Sequence, residues 1–226
     1  MTPPVVRIEK ETCWRLIPSR FPPIALFERI ASPEDFDALY EIEMLTNPRI
    51  RDEVGQISLI APEDRIFGPG TSQIMAAFTH INPAGSRFSD GTYGVYYAAA
   101  ELDTAVAETV YHRENFLRAT GEAPLEIDMR ALAADLMAML HDIRNGGNDY
   151  PQVYHPADYS ASRQLAIMLR KHDSDGIAYD SVRKAGGQCF AVFRPRCLSR
   201  IRQERHLCYA WDGQKISRIY EKKSYP

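Results

Sequence analysis

Five short runs rich in β-branched, aromatic and small apolar residues, at 93–99, 125–129, 176–182, 188–193 and 201–209, are bounded by Gly, Pro or Asp, with helical patterns between them in no strict alternation. Regular strand–helix alternation would build a doubly wound parallel sheet; mixed order calls for an α+β fold, a mixed β-sheet core with flanking helices. Two turns, Lys184-Ala185-Gly186-Gly187 and Asp212-Gly213, stand at hairpin spacing between neighbouring runs. Helices are expected at 72–78, 103–117 and 160–171. An earlier one starts at Ser32-Pro33-Glu34-Asp35, where an N-cap residue type precedes Pro at the first helical position and two acids suit the positive end of the helix dipole. Phe36, Leu39, Tyr40 and Met44 then share a face, and Asn47-Pro48 ends the pattern.

The 226 residues, 45% hydrophobic and 25% charged, exclude a collagen, a coiled-coil rod and a wholly disordered chain. With no internal repeat and no long linker, they read as one domain over 1–226, with an N-terminal helical elaboration at 24–70 and C-terminal strands at 199–220. A chain of this size buries a core without staples. Cys13, Cys189, Cys197 and Cys208 are scattered, with no Cys-x-x-Cys pair, so they read as reduced thiols of a cytoplasmic protein. The first eleven residues hold Pro3, Pro4 and several charges, unlike a secretory leader, and no stretch reaches the roughly 18 to 20 apolar residues of a membrane span.

Charge is unevenly placed. Between Arg183 and His206 stand seven basic residues against one acid, Glu204, a net +6 that leaves −9 for the remainder of a chain totalling −3. Such a strip suits nucleic acid, ligand phosphates or an acidic protein partner, and equally a solvated strand face. Its residues lie in predicted strands without an aromatic platform or helix-turn-helix pattern, so direct nucleic-acid binding is not expected.

The stretch from Ser86 to Ala99, followed by Thr104-Ala105-Val106-Ala107-Glu108-Thr109, carries the chemistry. Arg87 sits on a glycine-punctuated turn, Tyr96-Tyr97 on a strand, and Glu108 among alanines in the first turns of a helix. A carboxylate packed on that inward side needs a partner, and Arg87 or His112 is positioned to supply one. A buried Arg–Glu pair that only fixes a loop satisfies the same pattern. Glu108 and His112 also have the spacing of two metal ligands, but no third ligand is visible, so no metal is expected. Alternation along the strand sends one tyrosine of the pair to the site and the other to the core. His80 reads as a solvent-facing residue at a helix end, and Asn145 to Asp149, with Gly146-Gly147, as a turn that matches no phosphate loop.

Arg87 on its turn, Tyr97 in Gly94-Val95-Tyr96-Tyr97, Glu108 eleven residues later and Asp175-Gly176-Ile177-Ala178-Tyr179-Asp180-Ser181 occur in an order that resembles the RES domain, the toxin half of RES-Xre toxin–antitoxin modules. The resemblance covers residues 14–195, and Arg15 in Trp14-Arg15-Leu16 matches the arginine that opens the domain. Two departures stand out: the aromatic-Asn-Pro that follows the family's arginine is here Phe88-Ser89-Asp90, and 24–70 is longer than in the smallest members.

The resemblance implies an ADP-ribosyltransferase-like fold, NAD as substrate, an Xre-type antitoxin partner, and transfer of ADP-ribose to water, phosphate or a host protein. It assigns Glu108, Arg87 and Ser181 to catalysis, and Arg87, Tyr97, Arg15 and Ser181 to NAD binding. The residue types suit this on chemical grounds. A fixed carboxylate stabilises the oxocarbenium-like charge that develops as the nicotinamide–ribose bond breaks. Arginine forks match pyrophosphate, and a tyrosine face attracts the cationic nicotinamide ring. Ser181, at a strand end with no His–Asp relay in sight, reads as a group that bonds ligand or holds Glu108 rather than as a nucleophile.

Overall fold

The computed structural model describes residues 2–19, 55–147 and 149–223. The helix expected from Ser32, and most of the 24–70 elaboration, lie outside the described residues. Among the described residues, seven strands form the core: β1 Val5–Pro18, β2 Tyr96–Ala99, β3 Leu125–Asp142, β4 Gly176–Asp180, β5 Gln188–Val192, β6 Leu198–Trp211 and β7 Ile216–Glu221. The helices described are α1 Thr71–Thr79, α2 Leu102–Thr120 and α3 Ser160–Arg170, joined by 3-10 turns at Ile57–Leu59, Pro62–Asp64 and Pro195–Cys197. The α+β reading holds.

Strand order is β1-β2-β5-β4-β3-β6-β7, and β1 also pairs with β3. The pairings of β1 with both β2 and β3 close the first five strands into a ring, from which β6 and β7 extend. Only the β3–β4 pair is parallel, through His141↔Ile177 and Asp142↔Ala178. Both expected hairpins are present: the 184–187 turn joins β4 to β5, and the turn at Asp212-Gly213, with Gly213 at φ 98°, joins β6 to β7.

Two elements differ from expectation. The run expected at 125–129 extends through 18 residues to Asp142, and β1 forms where sequence patterning assigned no element. Most of β3's added length, from Arg130 to Leu140, is rich in alanine and leucine, which favour helices in isolation. Here Ala131, Leu132, Ala133, Ala134 and Leu136 are each at 0% exposure, because β3 has β1 along one edge, β6 and then β4 along the other, and a packed layer on each face. Small side chains let both layers approach closely, and that packing overrides local preference.

Two apolar clusters cover the two faces. One joins Ala134, Leu136 and Leu140 of β3 to Tyr96, Phe190 and the α1 residues Ile74, Met75 and Phe78. The other joins Met129 and Ala131 to Tyr179, Cys189, Ala105 of α2, and Ala166 and Leu169 of α3. The site described next opens beside this second layer.

Candidate active site

α2 begins at the end of β2 and stops at Gly121, whose left-handed conformation (φ 65°) returns N–H groups to the carbonyls of Arg118 and Leu117. Thr109 ties it to the sheet through a 2.8 Å hydrogen bond between its hydroxyl and that of Tyr209. At its N-terminal end, Gly187 of the β4–β5 turn lies so close that a Cβ there would stand 2.7 Å from both side-chain tips of Thr104. The missing side chain lets the turn press on the helix, and this contact brings Ser181 to Glu108.

Ser181 Oγ donates to Glu108 Oε1 at 2.6 Å and accepts the backbone N–H groups of Arg183 and Lys184 at 3.0 Å each. With both lone pairs occupied by the turn, its hydrogen is committed to the carboxylate. Cys189 Sγ stands 4.0 Å from the same oxygen. Burial, then the neighbouring Glu108, pushes this thiol up to about 12, so it remains S–H and donates. Two donors thus converge on Oε1. The donors found are Ser181, which was expected to bond ligand or hold Glu108, and Cys189, which was not expected; neither Arg87 nor His112, the other partners expected for Glu108, is among them.

Glu108 opens into a cleft of about 550 Å³ whose lining includes Arg15, Arg87, Tyr97, His112, Tyr159 and Tyr179. Arg87 is 9% exposed; its Nη1 donates to the carbonyls of Val153 at 2.9 Å and His155 at 3.1 Å, and its guanidinium lies 4.5 Å from the ring centre of Tyr159. It pins the segment before α3 against the cleft. Arg15 reaches across from β1, donating to the carbonyl of Tyr97 at 3.0 Å with its guanidinium 4.7 Å above the Tyr96 ring. Tyr97 lines the cleft while its hydroxyl bonds Ser86 at 2.7 Å and accepts the Phe88 N–H at 2.8 Å. Tyr96 is fully buried, as the alternation of the pair requires.

Cys189, Tyr179, Tyr159 and Tyr111 were not singled out in the sequence. Their only signal was position, with Tyr179 inside the 175–181 motif, Cys189 in an expected strand, Tyr111 in an expected helix and Tyr159 just before another; register alone shows that Tyr179 pairs with Cys189. A second cleft of about 730 Å³ shares Arg15, Ser86 and Tyr97 with the first and carries His80 on its wall. His80 is the exposed residue that ends α1, and Gly146 sits in a turn, accepting the Asp149 N–H at 2.9 Å. Among the described residues no group of three or more His, Cys, Asp and Glu is placed to hold a metal ion, and no helix is long and apolar enough to cross a membrane.

The basic strip is internally engaged. Lys184 faces Asp103 at 3.5 Å, Arg194 binds Asp173 at 2.7 Å, and Arg196 meets Asp64 at 3.2 Å. Arg200 and Arg202 flank Asp135 at 3.8 and 3.4 Å, and Arg205 meets Glu221 at 3.5 Å. Arg183 donates to the carbonyl of Pro156 and lies 3.3 Å from the ring centre of Tyr111.

A family model described as "RES domain" matches residues 62–212, two thirds of the sequence. The chain belongs to the RES domain family. The match encloses Arg87, Tyr97, Glu108 and Ser181 and begins after Arg15. This RES domain protein is 35% identical over 212 residues to "Uncharacterized protein y4oC" of Sinorhizobium fredii (strain NBRC 101917 / NGR234), an alignment that spans 93% of this chain and 87% of the relative. Among solved structures, the crystal structure of the M. tuberculosis MbcT–MbcA toxin–antitoxin complex aligns over 92% of this RES protein and 87% of its own chain, at 12% identity and a TM-score of 0.45.

Proposed function

We propose that this RES domain protein binds NAD and cleaves its nicotinamide–ribose bond, acting as the toxin of a toxin–antitoxin pair whose Xre-type antitoxin restrains it. The observation that carries the reading is the orientation of Glu108, whose Oε1 is held by Ser181 and Cys189 at the wall of a cleft large enough for a dinucleotide's reacting half. A carboxylate fixed before the reaction stabilises the oxocarbenium-like charge as nicotinamide departs, with no reorganisation at the moment of bond breaking. Nicotinamide leaves as a neutral ring, so no partner acid is required. Tyr97 offers its ring to the cationic nicotinamide, and Arg15 and Arg87 give the cleft the positive potential that a pyrophosphate needs. Arg87 spends Nη1 on the two carbonyls, which leaves Nε and Nη2 for ligand oxygens.

The rival reading, a nucleic-acid-binding module built on the 183–206 strip, is disfavoured by the ion pairs that occupy that strip. Acceptor choice is tested by resolving the products of NAD turnover by mass, in buffer alone, with phosphate, and with host lysate. Free ADP-ribose indicates water, an added phosphate indicates phosphorolysis, and a labelled protein band indicates a host acceptor. Intact NAD in all three arms rejects the proposal.

A further inference from the structure

We infer that His112 is the general base that takes the acceptor's proton, an inference that rests on the NAD-cleaving reading above. His112 follows Glu108 by one helical turn, and both line the same cleft. Residues four apart on a helix present neighbouring side chains, with Cβ atoms about 5–6 Å apart. His112 is exposed, its ring meets Tyr111 edge-on at 5.3 Å between centres, and among the described residues neither ring nitrogen is hydrogen-bonded. An imidazole with an unengaged nitrogen therefore stands at the mouth of the cleft, beside a carboxylate whose Oε1 is already bound elsewhere.

The groups around it keep it in the base form. Glu108, Tyr111 and Arg113 lie on α2; Arg183 follows β4, Arg87 precedes β2, Tyr159 precedes α3, and Tyr179 and Cys189 come from the strands below. Partial desolvation, then the positive charges of Arg183, Arg87 and Arg113, hold the imidazole below its ordinary range of 6.5. Near neutral pH it carries a lone pair ready to accept a proton.

The two residues divide the reaction. As the bond from the nicotinamide nitrogen to ribose C1′ breaks, its electron pair leaves with nicotinamide and Glu108 stabilises the cationic sugar. The acceptor oxygen bonds to C1′, its proton passes to the His112 ring nitrogen, and the imidazolium then releases it to solvent. Water and hydroxyl acceptors have a proton to lose. Azide has none, and this difference isolates the base.

The test uses the full chain with H112A and H112Q. His112 is exposed, so both variants should keep the wild-type unfolding temperature. ADP-ribose formation is expected to fall about 10²- to 10⁴-fold. Added azide should restore nicotinamide release in H112A, with ADP-ribosyl azide found by mass, while changing the wild type little. The wild-type rate should decline as pH falls below 6.5, and H112Q should lack that decline. H112A turning over at the wild-type rate, or a loss that azide does not relieve, overturns the role of His112 while leaving NAD cleavage intact. A wild-type protein that releases no nicotinamide overturns both.

Discussion

Ser181 is the residue whose geometry says most. Its oxygen accepts two backbone N–H groups and its hydrogen goes to Glu108, so it has no free lone pair for nucleophilic attack. In the proposed reaction its role is to position Glu108. A hydrogen bond to a charged group contributes about 1.5–3 kcal/mol, so S181A should lower kcat by about 10- to 100-fold with KM for NAD little changed, and S181T should recover part of the loss. Steady-state kinetics on the two variants check this; a rise in KM at constant kcat would mean that Ser181 binds substrate instead. The thiols give a second prediction at this scale. Burial pushes Cys13, Cys189 and Cys197 up to about 12 and raises Cys208 above its ordinary value of 9.0. Alkylation at pH 8 followed by intact mass should find the native protein essentially unmodified and the denatured protein carrying four adducts. Arg87 and Glu108 stood out in the sequence because charged groups are conspicuous among glycines and alanines, whereas Tyr97 and Ser181 were picked out by the resemblance to the RES domain. Cys189 was not, because its relation to Glu108 is created by packing across 81 residues of chain.

At the scale of elements, the site depends on how closely the β4–β5 turn meets α2. Gly187 permits that approach, and any Cβ there meets Thr104 at 2.7 Å. G187A should therefore move Ser181 away from Glu108 and cost activity out of proportion to one methyl group, while G186A in the same turn, with open space around it but φ 74°, should cost stability alone. Measuring nicotinamide release and thermal unfolding on both variants separates the two effects. β3 is the other element on which the fold turns. Leu140 is fully buried in the first apolar layer, so L140A should destabilise the protein by about 2–5 kcal/mol in chemical denaturation. Helices α1, α2 and α3, the two hairpin turns and the short strands were readable because their periodicity, caps and glycines are local. β1 and most of β3 were not. An alanine-rich run signals helix until two packed layers and two neighbouring strands compete for it, and a charged N-terminal stretch signals little until β3 pairs with it.

For the whole molecule, the closed ring of five strands supplies the rigid base from which the cleft is built, and the −3 net charge conceals how the +6 strip is used. Its seven basic residues meet acids, a carbonyl and an aromatic ring of the same chain. The protein should therefore bind duplex DNA and RNA only weakly in gel-shift titrations at 50 mM salt, a condition in which a dedicated phosphate-binding face would hold tightly. The sequence displayed the strip, but not that it is spent on internal pairing, since its acids come from α2, the 3-10 turn at Pro62–Asp64, the turn after α3, β3 and β7. The proposed reaction rests on one carboxylate, Glu108, at the wall of the cleft. Nicotinamide released from NAD, measured side by side for the wild type and E108Q, tests it most directly: the wild type should release nicotinamide and E108Q should fall by about 10²- to 10³-fold, whereas equal release by the two proteins would contradict it.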